Sequence, residues 1–311
     1  MTALAFIFPG QGSQSVGMMG AYGDQPIIRA TFAEASEVLR LDLWQLVSEG
    51  PGEDLNLTVN TQPVMLAAGV ACYRLWRDMG GKQPDFMAGH SLGEYTALTC
   101  AGAVDFADAL RLVRLRAEAM QSAVPEGQGG MAAILGLDDD AVRALCAEAA
   151  GGEVLAAANF NSPGQVVIAG HGSAVERAMT LAKARGAKRA LPLPVSVPSH
   201  CALMRPAADK LRQALASTPI RPPTVRVIHN ADVSEYREPD AIRDALVRQL
   251  YQPVRWVETI QRMQVAGVRL FAECGPGKVL SGLNKRILPE IPVVALTDAA
   301  SMAQALQQSE N

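Results

Sequence analysis

Apolar positions in the first 120 residues fall into two kinds of run that alternate along the chain. Leu4 to Phe8 is a short continuous apolar run ended by Pro9-Gly10, the pattern of a buried strand. Pro63 to Trp76 repeats apolar residues at helical spacing. Phe86-Met87-Ala88 is a second short run that stops at Gly89, and a helix is expected to start near Ser91. Phe106 to Met120 reads as a further helix with Phe106, Ala109, Leu110, Val113, Ala117 and Met120 along its apolar stripe. Strands alternating with helices predict a mostly parallel sheet covered on both faces.

The middle of the chain changes pattern. After the loop Pro125-Glu126-Gly127-Gln128-Gly129-Gly130, Met131 to Leu137 reads as a strand and Asp138 to Ala150 as a helix. Val154 to Phe160 and Gln165 to Ala169 read as strands joined through Asn161-Ser162-Pro163-Gly164. Ser173 to Arg185 is helical, opened by the capping-box pattern Ser173-Ala174-Val175-Glu176. Ala190 to Val197 is extended, and its prolines at 192 and 194 suit an edge. The order β-α-β-β-α-β is that of the ferredoxin-like split βαβ unit.

The last third returns to the first pattern: a strand from Val225 to His229, a helix from Asp240 to Leu250 stopped before Pro253, and a strand from Val268 to Glu273. Gly275-Pro276-Gly277 breaks the chain before another helix. The expected organisation is therefore α/β, with a large discontinuous domain of residues 1–127 and 198–311 and an inserted smaller domain of residues 128–197.

Composition narrows the function without choosing it. The 311 residues are 49% hydrophobic with a net charge of -3, which argues against a nucleic-acid binder. The five cysteines are scattered and none forms a C-x-x-C pair, so neither a disulfide framework nor a metal site is expected. No uncharged apolar run reaches the roughly 18 residues of a membrane span, and the opening residues lack the basic and apolar regions of a signal peptide. A cytoplasmic protein is expected.

Chemistry enters with Gly89-His90-Ser91-Leu92-Gly93, which matches G-x-S-x-G, the nucleophile elbow. A serine on a sharp strand-to-helix turn exposes its hydroxyl, the glycines let neighbouring backbone pass, and the N–H of Leu92 can hold an oxyanion. Ser91-Leu92-Gly93-Glu94 is also S-x-x-E, so Ser91 could instead be only a helix cap. A serine needs a base, and four histidines compete for the role. His90 is adjacent in sequence but should point away from Ser91. His171 sits in a turn, Gly170-His171-Gly172. His229 ends a strand. His200 follows Val197-Pro198-Ser199, where the inserted segment hands the chain back, and a domain junction favours a cleft. No acidic third member stands out, and no histidine follows residue 229, which argues against an ordinary lipase or esterase.

On the helix 106–120, Arg111 and Arg114 fall toward the polar side, whereas Arg116 borders the apolar stripe. An arginine turned inward needs an anion, either a structural carboxylate or the carboxylate of a substrate, unless its head snorkels to solvent. Gly10-Gln11-Gly12 lacks the third glycine of a dinucleotide loop, and Gly275-Pro276-Gly277-Lys278 lacks Walker A spacing, so both read as tight turns. The first could carry Gln11 to the mouth of the sheet.

These segments together resemble the malonyl-CoA:acyl carrier protein transacylases of bacterial (type II) fatty-acid synthesis. The likeness is carried by Phe8-Pro9-Gly10-Gln11-Gly12-Ser13-Gln14, Gly89-His90-Ser91-Leu92-Gly93-Glu94, Asn159-Phe160-Asn161-Ser162-Pro163-Gly164-Gln165, Pro198-Ser199-His200 and Gly275-Pro276-Gly277-Lys278, and it covers essentially the whole chain. The resemblance implies an α/β-hydrolase-like domain with a ferredoxin-like insert, and an acyltransferase acting through a malonyl-serine. It implies Ser91 as nucleophile, His200 as base, the backbone N–H groups of Gln11 and Leu92 as oxyanion donors and Arg116 as the grip on the malonyl carboxylate. Gln249 would offer a carbonyl to the histidine, and Asn161 would face the cleft. Malonyl-CoA and a phosphopantetheinylated carrier protein would be substrates, with no permanently bound cofactor and no metal, and the enzyme would act as a monomer. An acidic carrier needs a local basic patch, for which Lys188-Arg189 and Lys285-Arg286 are candidates. A thioesterase, which passes the acyl group to water, the same chemistry in another pathway, and a scaffold with a vestigial elbow are the competing readings.

Overall fold

Alternation along the first strand sets the layers. In the computed structural model, which describes residues 3–195 and 197–310, β1 (Ala3–Phe8) turns Leu4, Phe6 and Phe8 to one side and Ala5 and Ile7 to the other. Strand side chains point alternately to opposite faces. Since both faces of β1 are apolar, the sheet must be covered twice.

The chain then runs α1 (Pro26–Leu39), α2 (Leu43–Ser48), α3 (Gly52–Asn56), α4 (Thr58–Asp78), β2 (Phe86–Gly89), α5 (Gly93–Cys100) and α6 (Phe106–Ala123). Next come β3 (Gly129–Leu135), α7 (Asp139–Ala149), β4 (Leu155–Ser162), β5 (Gln165–His171), α8 (Gly172–Ala184) and β6 (Arg189–Pro192). It ends with α9 (Arg205–Ser217), β7 (Arg226–Ile228), α10 (Pro239–Gln249), α11 (Trp256–Val265), β8 (Val268–Glu273), α12 (Val279–Ile287), β9 (Val293–Ala295) and α13 (Ala299–Glu310). Strands from both ends of the chain build a five-stranded parallel sheet in the order β7-β2-β1-β8-β9. The middle segment builds a separate four-stranded antiparallel sheet, β4-β5-β3-β6. Among the described residues no helix is long and apolar enough to cross a membrane.

One core lies between the parallel sheet and α1, α4, α6 and α9. A second, containing Ile7, Trp256, Ile260, Phe271 and Leu283, lies on the opposite face under α11 and α12. The antiparallel sheet has its own cluster beneath α7 and α8. It is tied to the segment after α10 by backbone bonds from Phe160 N–H to Val254 O and from Val254 N–H to Ala158 O, each 2.9 Å.

Several local expectations need correction. α4 begins five residues before Pro63, at Thr58. Proline leaves the carbonyl four residues earlier without its helical donor; here that carbonyl, Val59 O, accepts from Arg114 Nη1 at 3.1 Å. β3 starts at Gly129 and ends at Leu135, because Gly129 and Gly130 pair with His171 and Gly170 while Gly136, at φ +93°, turns the chain. The capping box at Ser173 does not form: α8 starts at Gly172, and Ser173 Oγ donates to Glu153 instead. Of the extended segment 190–197, only Arg189–Pro192 pairs as a strand, at the edge of the sheet beside β3; Ser196 lies outside the described residues.

The parallel strands deliver their carboxyl ends to one rim, where Gly89 and Gly93 meet. A Cβ on Gly89 would sit 1.8 Å from the Gly93 carbonyl carbon, and one on Gly93 would sit 2.1 Å from Phe8 O. Both neighbours are backbone, so nothing can give way. Gly89→Ala is expected to cost at least about 3 kcal/mol or to prevent folding, read as a loss of the denaturant midpoint relative to wild type.

Candidate active site

Ser91 lies two residues past the end of β2, with φ at +52°, a conformation unfavourable for a residue with a Cβ. Hydrogen bonds on both sides impose it. Ser91 N–H donates to Asn230 Oδ1 at 2.7 Å, and Asn230 Nδ2 donates back to Gly89 O at 2.7 Å. Ser91 O accepts from Gln249 Nε2 at 2.8 Å and from Glu94 N–H at 3.1 Å. Ser91 is not a helix cap: α5 starts at Gly93 with Leu92 in the cap position, and the Glu94 side chain turns away to His229 and Asn230.

His200 faces the serine. Its Nε2 is 2.8 Å from Ser91 Oγ, and its Nδ1 is 2.8 Å from the main-chain oxygen of Gln249, near the end of α10. The last carbonyls of a helix have no partner of their own. A carbonyl only accepts, so Nδ1 carries the proton and Nε2 is left to accept the serine O–H. Burial, reinforced by the Arg116 cation, pushes the His200 imidazole from 6.5 down to about 3; the bond to Gln249 opposes this.

Arg116 is 1% exposed and its hydrogen-bond partners among the described residues are all neutral. Nη1 donates to Gln62 Oε1 at 2.8 Å, and Nη2 to Gln249 Oε1 at 3.0 Å and to Ser91 Oγ at 3.1 Å. Its Nε, also buried, has no hydrogen-bond partner among the described residues. Desolvation lowers its pKa. The structural-carboxylate reading of this arginine therefore does not hold, whereas Arg111 and Arg114 take Asp108 and Glu118 on the surface.

These groups share a cavity of about 210 Å³ between the two sheets, whose lining includes Gln11, Ser91, Leu92, Arg116, Asn161 and His200. Among the described residues neither the Gln11 nor the Leu92 amide N–H has a protein acceptor. Both residues line the cavity onto which Ser91 opens. Apolar Met120, Met131, Leu193 and Val195 supply much of the remaining wall.

The other histidines separate. His90 lines the same cavity but turns to other partners, with Nε2 2.8 Å from Asn161 Oδ1 and its ring against Trp256. Burial lowers its pKa. His171 Nδ1 accepts from Val154 N–H in its turn, and His229 is fully buried against Glu94. Sequence reasoning missed Gln62 and Asn230. A glutamine directly before Pro63 within an apolar helix, and an asparagine at the end of a parallel strand, were the available signals.

Residues 5–301 match the family model of the acyl transferase domain, which makes the chain an acyltransferase. It is 59% identical over 308 residues to the malonyl CoA-acyl carrier protein transacylase of Escherichia coli (strain K12), covering 99% of this chain and 100% of that one. The structure of the malonyl CoA-acyl carrier protein transacylase of Coxiella burnetii superposes with a TM-score of 0.98 at 50% identity, over 99% of this chain and 98% of that one. A further match, at TM-score 0.97 and 54% identity over 99% of this chain and 100% of that one, is a malonyl-transacylase in complex with its type II PKS acyl-carrier protein. The chain belongs to the malonyl CoA-acyl carrier protein transacylase family.

The depressed His200 pKa has a direct consequence. In the unfolded chain this imidazole titrates near 6.5, and in the folded chain near 3. Between those values the unfolded state binds a proton that the folded state does not, so stability falls as pH drops below about 6.5. Chemical denaturation at pH 6.5 and pH 5 is expected to show wild type losing up to about 2 kcal/mol more than His200→Gln; equal losses would contradict the buried neutral imidazole.

Proposed function

We propose that this protein moves a malonyl group from malonyl-CoA to the phosphopantetheine thiol of an acyl carrier protein, through an ester on Ser91. The reading rests above all on one observation: Ser91 Oγ stands 2.8 Å from His200 Nε2 and 3.1 Å from Arg116 Nη2. A nucleophile, a base and an unpaired buried cation thus meet at one point.

In the first half-reaction the malonyl carboxylate pairs with Arg116, whose neutral partners leave its charge uncompensated by any direct contact. His200 Nε2 takes the Ser91 proton as Oγ attacks the thioester carbonyl, and the oxyanion turns to the amides of Gln11 and Leu92. The carbon–sulfur bond breaks, and the coenzyme A sulfur leaves with the proton from His200. The carrier thiol then gives its proton to His200, attacks the malonyl-serine, and releases Ser91 Oγ with that proton. The cycle is ping-pong, and no metal or bound cofactor is called for. The Gln249 carbonyl orients the imidazole, while Asn161 fixes His90 in the cleft wall.

Lys285 and Arg286 are exposed on α12, the helix whose Val279, Leu280 and Leu283 line the cavity. Lys188-Arg189 lies at the Leu135 end of the β3–β6 ladder, away from Met131 and Leu193. We favour the α12 pair as the contact for an acidic carrier. We also read the parallel-sheet part as a hydrolase-like domain of residues 1–127 and 198–311, and residues 128–197 as a ferredoxin-like insert, since its first and third strands are central and adjacent. A cytoplasmic monomer fits this activity.

Intact-mass analysis after mixing with malonyl-CoA is expected to show one added malonyl, localised to the Ser91 peptide and lost on addition of carrier. Ser91→Ala should show none, and persistent labelling would remove the nucleophile assignment. Release of free malonate in place of carrier loading would favour a thioesterase. Arg116→Ala should reduce the malonyl-over-acetyl ratio in kcat/KM roughly 100-fold, the worth of a buried charge-assisted contact; an unchanged ratio would mean the carboxylate is read elsewhere.

A further inference from the structure

Below the nucleophile lies a layer of buried polar side chains that the reaction above does not use. Glu94, His229, Asn230 and Gln249 are all fully buried. The proposed chemistry calls only on the main-chain oxygen of Gln249, yet its side chain sits at the centre of the layer.

An amide side chain has a donor end and an acceptor end, and its surroundings choose between the two orientations. The Nε2 of Gln249 faces two oxygens that accept: Glu94 Oε2 at 2.9 Å and Ser91 O at 2.8 Å. Its Oε1 is thereby turned to Arg116 Nη2 at 3.0 Å. The opposite orientation would set an NH2 group against a guanidinium and a carbonyl against a carboxylate. Glu94 is in turn fixed by His229 Nδ1, 2.7 Å from Oε1, and by Asn230 N–H, which donates to Oε2 at 3.0 Å.

We propose that Glu94 is a positioning residue for acyl selection: it locks the Gln249 amide in one orientation, and that amide holds the Arg116 guanidinium beside Ser91, where the free carboxylate of the substrate is read. This rests on the reading of Arg116 given above. Glu94 touches neither substrate nor reacting atoms; it acts through Gln249.

The geometry also says which substitution should be tolerated. In Glu94→Gln, an oxygen can keep the Oε2 site, where both Asn230 N–H and Gln249 Nε2 arrive. The new NH2 then takes the Oε1 site facing His229 Nδ1. His229 can receive it, because its buried Nε2 has no hydrogen-bond partner among the described residues and can carry the ring proton instead. Glu94→Gln thus preserves the lock, and Glu94→Ala removes it.

The test is Ser91 loading by malonyl-CoA and by acetyl-CoA, with kcat and KM measured for the full-length enzyme, Glu94→Ala, Glu94→Gln, Gln249→Met and the double variant Glu94→Ala/Gln249→Met. Glu94→Ala and Gln249→Met should each lower the malonyl-over-acetyl ratio about 10-fold, chiefly through the malonyl-CoA KM, and Glu94→Gln should stay within about 3-fold of wild type. The double variant should lose no more than either single one, because both act on one lock. An unchanged ratio in Glu94→Ala, or losses that multiply in the double variant, would overturn the proposal. If Glu94→Ala does not fold, an unchanged ratio in Gln249→Met overturns it alone. Arg116→Ala run alongside separates the two levels. If it leaves the ratio unchanged, the carboxylate reader itself is wrong; if it lowers the ratio while Glu94→Ala does not, only the positioning role is lost.

Discussion

A serine held at positive φ between a strand and a helix is the constraint on which the rest of this molecule turns. Such a backbone conformation costs on the order of 1–3 kcal/mol and persists only where its surroundings over-determine it. Here the determination comes from two distant parts of the chain. Asn230 clips Gly89 and Ser91 from the end of β7, and Gln249 reaches Ser91 O from the end of α10. The close approach of Gly89 to Gly93 and of Gly93 to Phe8 leaves the turn no other path. The parallel sheet matters because it brings the ends of β1, β2 and β7 to one rim.

A second constraint is electrical. Burying a guanidinium is expensive, and the usual remedy is a carboxylate in direct contact. Arg116 has instead three neutral oxygens, while Glu94 touches its partner Gln249. The cation is therefore held in place without being quenched. This is the arrangement expected where an anionic ligand completes the site, and it adds to the burial that lowers the basicity of the neighbouring His200.

Much of this was legible in the sequence. The apolar runs at Leu4–Phe8 and Val268–Glu273 matched strands closely because buried parallel strands admit little else. The pattern G-x-S-x-G identified a turn because only glycine fits at residues 89 and 93. Arg116 stood out because a helix of known period puts it beside the apolar stripe. Other features were not legible. The start of α4 before Pro63 depends on Arg114, which lies 55 residues away by the Val59 contact and satisfies a carbonyl that proline orphans. Glu94 reads as a local capping residue, since nothing near it in sequence announces His229, Asn230 or Gln249. Two-ended polar groups such as Gln62 and Asn230 gain meaning only once their neighbours are fixed.

The partner of His200 Nδ1 is an oxygen of the peptide chain, and this shapes how the site could change over time. Nearly every amino acid at residue 249 would present the same atom, provided that the last turn of the helix is kept. Orientation of the imidazole is thereby uncoupled from side-chain identity, whereas the Gln249 side chain has separate contacts of its own, to Ser91 O and Arg116. What protects that interaction is the integrity of a helix end, and its weak point is whatever unwinds that final turn.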